Sequence, residues 1–567
     1  MKKKLNYKQQ QFLREKKIHI TISIIASIFF IGITAIHPLY IANSRYFNIT
    51  FQKAAFFWVL TAAVTLSLFF MLFFVKKAFY IKNYYIENEP RRLLTLAEWA
   101  LISFILLSFI SALLTFWNGD LVTEIFFEDA PYVRDVVWIG YRYDGFISFL
   151  CYGLTFFIVA RFYKPNRFHL LALSVSIILV SLYGILQFMG IDIFGLFPFE
   201  IFIDSSGNMI YGGLSAYFRT TLGNTNIVAA YCTFAVILSA ALFSTSRLHF
   251  KWNFLYVTAS AISFALFLIA DGDASKFAIL CAMILLIPYW ISDRARLGRL
   301  LIVLSTWCAV YAGHNAYVSK LKEQLEFDPS AFAPNDQYFL RSFTPRNPLL
   351  FFAAAAVLLV IGLCLLFLVK RWAERPIRIA GIVFLPLSLF GGLLFIEIMG
   401  ARWSDQPGNI VWQAREILHG RFGDNFGSNR MWIWKSALSV VFNHPLFGTG
   451  PDTFLYALGD ELQMEAYNLH GEIYDKAHNT FLQIAVCMGL PALLSYLVFL
   501  GNLFISAIKR AFKQPLLLAF GAAALCYTIQ SFFCVEVPMT TPLFWVALGI
   551  MAREVWAGKI GMKEFEF

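Results

Sequence analysis

The stretch that decides the fold is the segment 399–483, the one long polar interruption late in an otherwise apolar sequence. The sequence there reads GSNRMWIW at 427–434, HPLFGTGP at 444–451 and DKAHNTFLQ at 475–483. A guanidinium, from Arg430, and an imidazole, from His478, therefore lie near opposite ends of one polar segment, which apolar runs border on both sides. The pattern predicts a loop between membrane helices that covers a candidate active site, with His478 as its chemical centre.

The composition excludes an ordinary soluble protein. Hydrophobic residues make up 59% of the chain, aromatic residues 18% and charged residues only 14%. Repeated apolar runs of about 18 residues or more are typical of a polytopic membrane protein. A formal net charge of +11 would suggest nucleic acid as the partner of a soluble protein. In a membrane protein the bilayer explains it more simply, so no nucleic-acid partner is predicted.

The apolar runs predict about fourteen membrane-spanning helices. Backbone groups in lipid must be hydrogen-bonded within their own segment, so the predicted fold class is all-α. The chain divides into a transmembrane bundle of about eleven spans (1–399), a polar loop (400–479), and about three spans with a tail (480–567). The predicted spans are 18–40, 54–75, 93–115, 145–162, 168–190, 227–245, 253–270, 275–292, 300–315, 348–369, 379–399, 480–505, 514–533 and 540–553.

The basic residues predict the orientation of the chain. If the N-terminus lies in the cytoplasm, most Lys and Arg residues fall in cytoplasmic segments and most acidic residues fall outside, as the positive-inside rule requires. Both termini are then cytoplasmic, and the long loops 116–144, 191–226, 316–347 and 400–479 lie on the outer face. Because the polar surface is concentrated there, we expect the active site on that face.

Two arginines precede predicted spans on the outer side. Arg142 lies in the run GYRYDG and has three readings: it pairs with Asp144, binds a phosphate or anchors the chain at the interface. Arg219 lies in the run YFRTTLGNTN and is the only basic residue of its outer loop, which favours a functional role. Asn224 and Asn226, further along this run, can cap the helix that follows.

Arg430 opens a predicted helix that runs to about residue 443. Ser428 or Asn429 can cap this helix, and Pro445 ends it. The helix dipole and the free N–H groups of a first turn favour an anion, so Arg430 and the helix end are expected to bind something negative together. One face of the helix is apolar, as in a helix lying in the membrane interface, and consists of Met431, Trp434, Leu438, Val441 and Phe442.

Asp475 and His478 lie three residues apart. On a helical turn the carboxylate can accept a hydrogen bond from one imidazole nitrogen and leave the other nitrogen as a base. Asn479 adds a donor and an acceptor at the same level. A lone His at a membrane interface is more often a polar anchor, and this alternative stays open.

The sequence offers no metal or cofactor motif. The eight cysteines show no CxxC pair and are expected to be buried apolar side chains. Asp271 and Asp273 provide too few ligands for a cation and fit helix capping better. Arginines and one base without a metal suit the transfer of a glycan from a lipid diphosphate. The guanidinium groups would stabilise the leaving diphosphate, and His478 would activate the acceptor hydroxyl.

At this point the motifs resemble a known family. His478-Asn479, separated by nine residues from Gly489, is similar to a signature of the O-antigen ligases and related O-antigen polymerase-like enzymes. The segments that begin at Arg219 and at Arg430, the latter ending in PLFGTGP, resemble two further motifs of the family. The run from Arg142 to Gly145 is similar to a variant of it.

The resemblance implies a GT-C-type helical fold, a polyprenyl-diphosphate-linked glycan donor and inverting, metal-independent transfer without a cofactor. It implies that His478 acts as the base and that Arg219 and Arg430 bind the diphosphate. From their positions in the sequence, Asp475 is the second catalytic candidate and Arg142 a further candidate for binding the diphosphate. Asn479, Asn224 and Asn226 are expected to support them. The acceptor would be a glycan, a lipid or a protein on the outer face of a bacterial cytoplasmic membrane. A repeat-unit polymerase of the same family and a transporter or flippase of lipid-linked glycans are the alternatives.

Overall fold

The computed structural model describes residues 7–42, 48–74, 94–117, 133–196, 201–203, 209–211, 220–246, 251–329, 337, 340–341, 343–369, 371–402, 410–421, 423 and 427–559. The described chain is helical apart from one short hairpin. The α-helices are α1 (Tyr7–Ile31), α2 (Ile49–Phe74), α3 (Leu96–Trp117), α4 (Val133–Ile139), α5 (Phe146–Phe162), α6 (Arg167–Phe188), α7 (Thr225–Thr245), α8 (Asn253–Ala270), α9 (Asp273–Leu285), α10 (Ile287–Ile291), α11 (Arg294–Phe327), α12 (Pro348–Phe367), α13 (Glu374–Arg402), α14 (Ile410–Leu418), α15 (Arg430–Asn443), α16 (Phe454–Ala457), α17 (Gly459–His470), α18 (Thr480–Ile508), α19 (Pro515–Ser531) and α20 (Thr541–Lys559).

The structure differs from the prediction in two of the predicted outer loops. Strands β1 (Ile201–Ile203) and β2 (Met209–Tyr211) pair antiparallel within the predicted loop 191–226, where no strand was expected. Helix α11 has 34 residues, so it continues well past the predicted span 300–315. At 1.5 Å per residue this helix is about 50 Å long, more than a bilayer core of about 30 Å. Its C-terminal part carries several charged residues, because it extends beyond the apolar run.

The apolar helices have the lengths that a membrane requires. Among the described residues, nine helices are long and apolar enough to span a bilayer: α2, α3, α6, α7, α8, α11, α12, α13 and α18. Three shorter apolar helices cover Ile20–Ile36, Phe146–Phe162 and Pro515–Ser531. Each of the predicted apolar runs contains helix. The protein is therefore a helical, polytopic membrane protein, and the count of about fourteen spans stays a prediction.

The core of the bundle lies around α7, which is almost entirely buried, whereas α13 is almost entirely exposed. One aromatic stack joins three helices. The Trp545 ring of α20 lies between the rings of Tyr152 in α5 and Phe499 in α18, with centroid distances of 5.7 and 5.6 Å. Each such pair contributes about 0.5–1.5 kcal/mol beyond its buried area. Because the Tyr152 hydroxyl donates to Asp144 at 2.9 Å, this packing also supports the polar end of α5.

Helix α18 is broken at Gly489, whose φ of 85° and ψ of 169° are not helical. Pro491 has no N–H for the carbonyl of Cys487, four residues earlier, so the break frees backbone groups. The loop after α15 supplies their partners. The N–H groups of Thr449 and Gly450 donate to the oxygens of Val486 (3.0 Å) and Cys487 (2.8 Å). In return, the Leu490 N–H donates to the Pro445 oxygen at 2.8 Å.

The close approach of these two backbones requires glycine at two positions. A Cβ atom on Gly489 would collide with the backbone of Leu446, and one on Gly448 would collide with that of Cys487. Both glycines also have positive φ angles, which side chains disfavour. The run PLFGTGP and the glycine that follows His478-Asn479 therefore form one structural unit, which fixes the start of α18.

Candidate active site

His478 lies in an irregular segment directly before α18, in the left-handed region with φ of 48°. Its neighbours hold the backbone in place. The Trp434 indole N–H of α15 donates to the Ala477 oxygen at 3.1 Å, and the Ala477 N–H donates to the Gln483 side chain at 2.8 Å. The Asn479 side chain accepts from the Leu482 N–H at 3.1 Å and so caps α18. The half-buried imidazole is thereby held between α15 and α18.

The electrostatic surroundings of His478 are predominantly positive. Burial, and after it the charge of Arg430, lowers the pKa of its imidazole to about 4. Asp475 acts in the opposite direction, while Arg142 and Lys476 add to the lowering. Arg142 and Arg430, which are far apart in the sequence, are thus brought to the same imidazole. The neutral ring at pH 7 is surrounded by cations, which is an arrangement suited to an anionic ligand.

Arg430 lies in the first turn of α15, as predicted. Its Nε–H donates to the Phe533 oxygen at 3.1 Å and its Nη1 donates to the Gly427 oxygen at 2.6 Å. These bonds tie the start of α15 to the segment between α19 and α20. The predicted cap is wrong, because Ser428 and Asn429 both have left-handed backbones and the Asn429 side chain makes no capping hydrogen bond.

The face by which α15 packs on the bundle also differs from the predicted apolar face. The buried side chains are Trp432, Ile433, Ser436, Ala437, Val440 and Val441. Of the predicted face, Leu438 and Phe442 are exposed, the latter at 78%. The small side chains of Ser436 and Ala437 allow the helix to pack closely, so the stripe that contains them faces the protein. Leu438 and Phe442 remain on the outer flank.

The predicted relation between Asp475 and His478 is wrong. The residues between α17 and α18 form no helical turn, and the Asp475 carboxylate accepts a hydrogen bond from the Arg142 Nε–H. The predicted alternative pairing of Arg142 with Asp144 is also not formed. Because the Arg142 side chain is 53% exposed, its ion pair with Asp475 contributes little to stability, about 0–1 kcal/mol. The pair holds the Arg142 guanidinium beside His478.

Beneath these residues lies a buried ionic cluster that the sequence did not predict. The Lys476 ammonium lies 2.5 Å from an Asp452 oxygen and 3.5 Å from an Asp144 oxygen. The other Asp452 oxygen accepts from the backbone N–H groups of Arg142 (2.7 Å) and Asp144 (3.2 Å). Asp452 therefore fixes the backbone that carries Arg142, and Lys476 fixes Asp452.

The pKa values of this cluster follow from its burial and its charges. Burial alone would lower the pKa of Lys476, but Asp452 and Asp144 raise it above its ordinary value. Burial raises the pKa of Asp144 more than Lys476 lowers it, and with the added effect of Asp452 the pKa is about 6. One cation thus faces two carboxylates, and the proton affinity of Asp144 increases accordingly.

Glu536, between α19 and α20, faces the same cluster. Glu536 and His478 both line a small cavity of about 20 Å³. The other polar residues on its wall are Asp144, Lys476, Asn479, Thr480 and Gln483. The cavity is large enough for one water molecule, which requires about 10–15 Å³. Burial, and after it the charge of Asp144, raises the pKa of Glu536 to about 8. One Glu536 oxygen is buried without a hydrogen-bond partner in the structure.

A signal for Glu536 was present in the sequence. It is the only charged residue between Lys513 and Arg553. A lone carboxylate between two apolar runs is expensive to keep near a membrane and therefore indicates a specific role. Asp452 and Lys476 gave a weaker signal, because each lies beside a motif residue but is not part of the pattern that was recognised.

Arg219 lies outside the described residues. The residues after it are held by two buried contacts: the Thr220 N–H donates to the Gln187 side chain (2.8 Å), and the Thr221 hydroxyl donates to the Pro38 oxygen (2.6 Å). Asn224 caps α7 by accepting from the N–H of Asn226 at 2.8 Å, as the capping prediction required. No contact in the described part of the chain joins Asn224 or Asn226 to His478.

Across the described ranges, no three His, Cys, Asp or Glu side chains are grouped as metal ligands would be. Asp271 and Asp273 both pair with Lys276, at 2.6 and 3.0 Å. The described residues of the candidate site supply guanidinium groups, an imidazole, and buried carboxyl and ammonium groups.

Residues 350–497 match a family model described as O-antigen ligase. The matched segment runs from α12 into α18, which is a minor part of the chain, and includes Arg430, Asp475 and His478. Arg142 and Glu536 lie outside it. No curated protein matches the chain. The motif resemblance and the family match agree, and together they support an O-antigen ligase-like family for this membrane protein.

Proposed function

We propose that the protein is a glycosyltransferase that moves a glycan from a polyprenyl-diphosphate-linked donor to an acceptor on the outer face of a bacterial cytoplasmic membrane. The observation that carries the proposal is that Arg142 and Arg430 reach the segment of His478 from distant parts of the sequence. Arg142 pairs with Asp475, and α15, which begins at Arg430, contacts Ala477 through the Trp434 indole. Two guanidinium groups beside one neutral imidazole match what the reaction needs: stabilisation of a leaving diphosphate and a base for the acceptor.

In the proposed reaction, the acceptor hydroxyl attacks the anomeric carbon of the donor while its proton passes to a nitrogen of His478. The bond between that carbon and the diphosphate oxygen breaks, and the electron pair leaves with the polyprenyl diphosphate. A single displacement of this kind inverts the anomeric centre. Arg142 and Arg430, together with Arg219, would hold the diphosphate oxygens, because a planar guanidinium can donate two hydrogen bonds to such a group.

The low pKa of His478 in the free protein fits this sequence of events. A free imidazole with a pKa of about 4 is neutral at pH 7 but is a weak base. A diphosphate bound to the surrounding cations would offset their field and raise the pKa of the imidazole. The base would therefore become stronger when the donor is in place.

The proposal includes a GT-C-like arrangement of about fourteen spans with both termini in the cytoplasm. In this arrangement residues 400–479 form an extracytoplasmic loop, and α15 lies at the membrane interface. The exposed side chains of Leu438 and Phe442 on the outer flank of α15 support that placement. Lipid-facing grooves between helices would hold the polyprenyl tail.

Two alternatives concern the acceptor and the class of protein. A repeat-unit polymerase of the same family would use the same diphosphate chemistry with a second lipid-linked glycan as acceptor. A transporter or flippase would move the donor without breaking a bond, and such proteins carry ionisable residues at mid-span. In this chain the residues around His478 lie at helix ends and in loops, which favours the enzyme.

The test is a transfer assay with the purified full chain in detergent, where no ion gradient exists. A polyprenyl-diphosphate-linked glycan is supplied with a candidate acceptor, and products are identified by mass spectrometry. Consumption of the donor only when the acceptor is present supports a transferase. Movement of the donor across vesicles without bond cleavage would contradict it. Mass spectrometry of the glycans that accumulate in a deletion strain would identify the natural donor and acceptor.

A further inference from the structure

A groove lies at the far end of α18 from His478. Helix α18 has 29 residues, which places the groove roughly 40 Å from the candidate active site. Its volume is about 450 Å³, within the range of about 300–1,000 Å³ that is typical of ligand sites. The walls are formed by apolar side chains of six helices or their ends, among them Leu286, Tyr289, Leu385, Phe504, Ala511 and Phe512.

The groove is chemically suited to a hydrocarbon chain. Tyr289 is the one lining residue with a polar side chain, and its hydroxyl donates to the Ile508 oxygen at 2.7 Å, so its ring presents an apolar surface. The Tyr289 ring stacks on Phe512 with a centroid distance of 4.3 Å. One wall belongs to α13, whose side chains are almost entirely exposed and apolar. The groove therefore opens toward the side of the bundle that faces lipid.

The rim of the groove is basic. The Arg378 guanidinium lies over the Phe512 ring, 4.7 Å from its centroid, and its Nε is buried without a hydrogen-bond partner. Arg510 and Lys513 flank the lining residues Ala511 and Phe512 in the sequence. No lining residue is acidic. An unpaired guanidinium nitrogen beside an apolar groove favours a ligand that combines an anionic group with an apolar part.

We propose that this groove binds an anionic phospholipid of the cytoplasmic leaflet, with one acyl chain in the groove and the phosphate on Arg378. Basic pockets between membrane helices on this side bind anionic headgroups, with a contribution of about 1 kcal/mol for each Lys or Arg. The lipid would fill the space between α13 and the ends of α18 and α19. Helix α13 leads into the segment that carries Arg430 and packs on α10, α14 and, to a lesser extent, α9, so the lipid adds a contact that fixes α13 against the bundle.

The test compares phosphatidylglycerol with phosphatidylcholine of the same acyl chains, added to the purified full chain in detergent. Lipid retention is measured by native mass spectrometry across a titration. We expect phosphatidylglycerol to be retained at one molecule per chain and phosphatidylcholine to be retained far less. The variant Arg378→Gln is expected to weaken phosphatidylglycerol binding about fivefold, as the loss of one interfacial charge implies.

Two further variants separate this site from general lipid contact. Arg167→Gln removes an exposed arginine on the same predicted side of the membrane and should leave binding unchanged. Ala511→Leu narrows the groove and should weaken phosphatidylglycerol binding without any change at the rim. Equal retention of both lipids, or an equal loss in Arg167→Gln and Arg378→Gln, would overturn the proposal. Inorganic phosphate is added as a competitor at the concentration at which phosphatidylglycerol saturates the site. Displacement of the lipid by phosphate would also overturn the proposal, since the site would then bind a free anion.

Discussion

The carboxylate of Asp475 accepts a hydrogen bond from the Nε–H of Arg142, a residue 333 positions earlier in the chain. This contact joins the segment before α5 to the segment before α18. It places the Arg142 guanidinium beside His478, where Arg430 arrives from a third segment. The ion pair therefore connects the proposed diphosphate-binding residue Arg142 with the segment of the proposed base, His478. It also gives Asp475 a role that can be tested.

If Asp475 acts by positioning Arg142, the variants Asp475→Asn and Arg142→Lys should not have independent effects on transfer. We expect Asp475→Asn to lower transfer activity less than Arg142→Lys does, and the double variant to resemble Arg142→Lys alone. Initial rates of the four proteins in one detergent form the double-mutant cycle. Arg421→Gln, which removes another exposed arginine paired with a glutamate, is the matched control and should be neutral. Losses that multiply in the double variant would show that Asp475 acts independently of Arg142.

The base role of His478 predicts a separation between binding and turnover. His478→Ala should leave donor affinity nearly unchanged while the single-turnover rate falls by about 10²–10⁴-fold, the usual contribution of a general base. His444→Ala removes an exposed imidazole from the same loop and should retain the wild-type rate. Near-normal turnover of a correctly folded His478→Ala variant would show that His478 is a polar anchor at the membrane interface and not the base.

The acid limb of the pH profile should report the low pKa of His478. The neutral imidazole is the active form, so kcat/KM is expected to stay high as the pH falls to 5 and to decline near the pKa of about 4. Arg430→Gln removes a charge that lowers this pKa, so the limb should move up toward 6.5 although the overall rate also falls. A wild-type limb already near 6.5, or a limb unchanged by Arg430→Gln, would contradict the proposed electrostatics.

Gly489 should tolerate no side chain. Gly489→Ala places a Cβ against the Leu446 backbone at a positive φ angle, a conformation that costs about 1–2 kcal/mol for a non-glycine residue even before the collision. We expect a lower unfolding temperature in detergent and a loss of transfer activity, because α18 and the loop after α15 can no longer dock. Gly501→Ala in the same helix meets no neighbour and should be neutral or slightly stabilising. Equal behaviour of the two variants would argue against the docking role of Gly489.

Glu536 should make the folded protein less stable as the pH rises. The pKa of this carboxyl is 4.5 in an unperturbed chain and about 8 in the fold, so the unfolded state releases the proton first between these values. Glu536→Gln has no proton to release. The unfolding temperature of this variant relative to wild type should therefore increase from pH 5 to pH 8.

The exposed Glu461 provides a control for that experiment, since Glu461→Gln changes the same charge at the surface. Its unfolding temperature relative to wild type should vary little over the same pH range. If the difference in unfolding temperature between Glu536→Gln and wild type were constant from pH 5 to pH 8, Glu536 would already be ionised in the folded protein at neutral pH.

The sequence by itself determined the helical membrane architecture, because apolar runs of about 20 residues in lipid must satisfy their own backbone hydrogen bonds. It also selected Arg142, Arg430 and His478 as candidate site residues, since polar groups next to a membrane are expensive unless they have a role, and their roles stay predictions. The cap formed by Asn224 was predictable for a related reason, as it involves residues only two positions apart. All of these inferences depend on residues that are close together in the sequence.

Only the tertiary structure decided which groups meet. Asp475 was expected to orient His478 three residues away, but its partner is Arg142, and the segment between α17 and α18 forms no helical turn. Glu536 reaches the site from the connection between α19 and α20, which lies outside every recognised motif. Lys476 pairs with Asp452 and Asp144 because all three side chains are buried together. The physical reason is that an ion pair depends on distance in space and on local desolvation. The spacing of residues along the chain determines neither the distance between two side chains in space nor their desolvation.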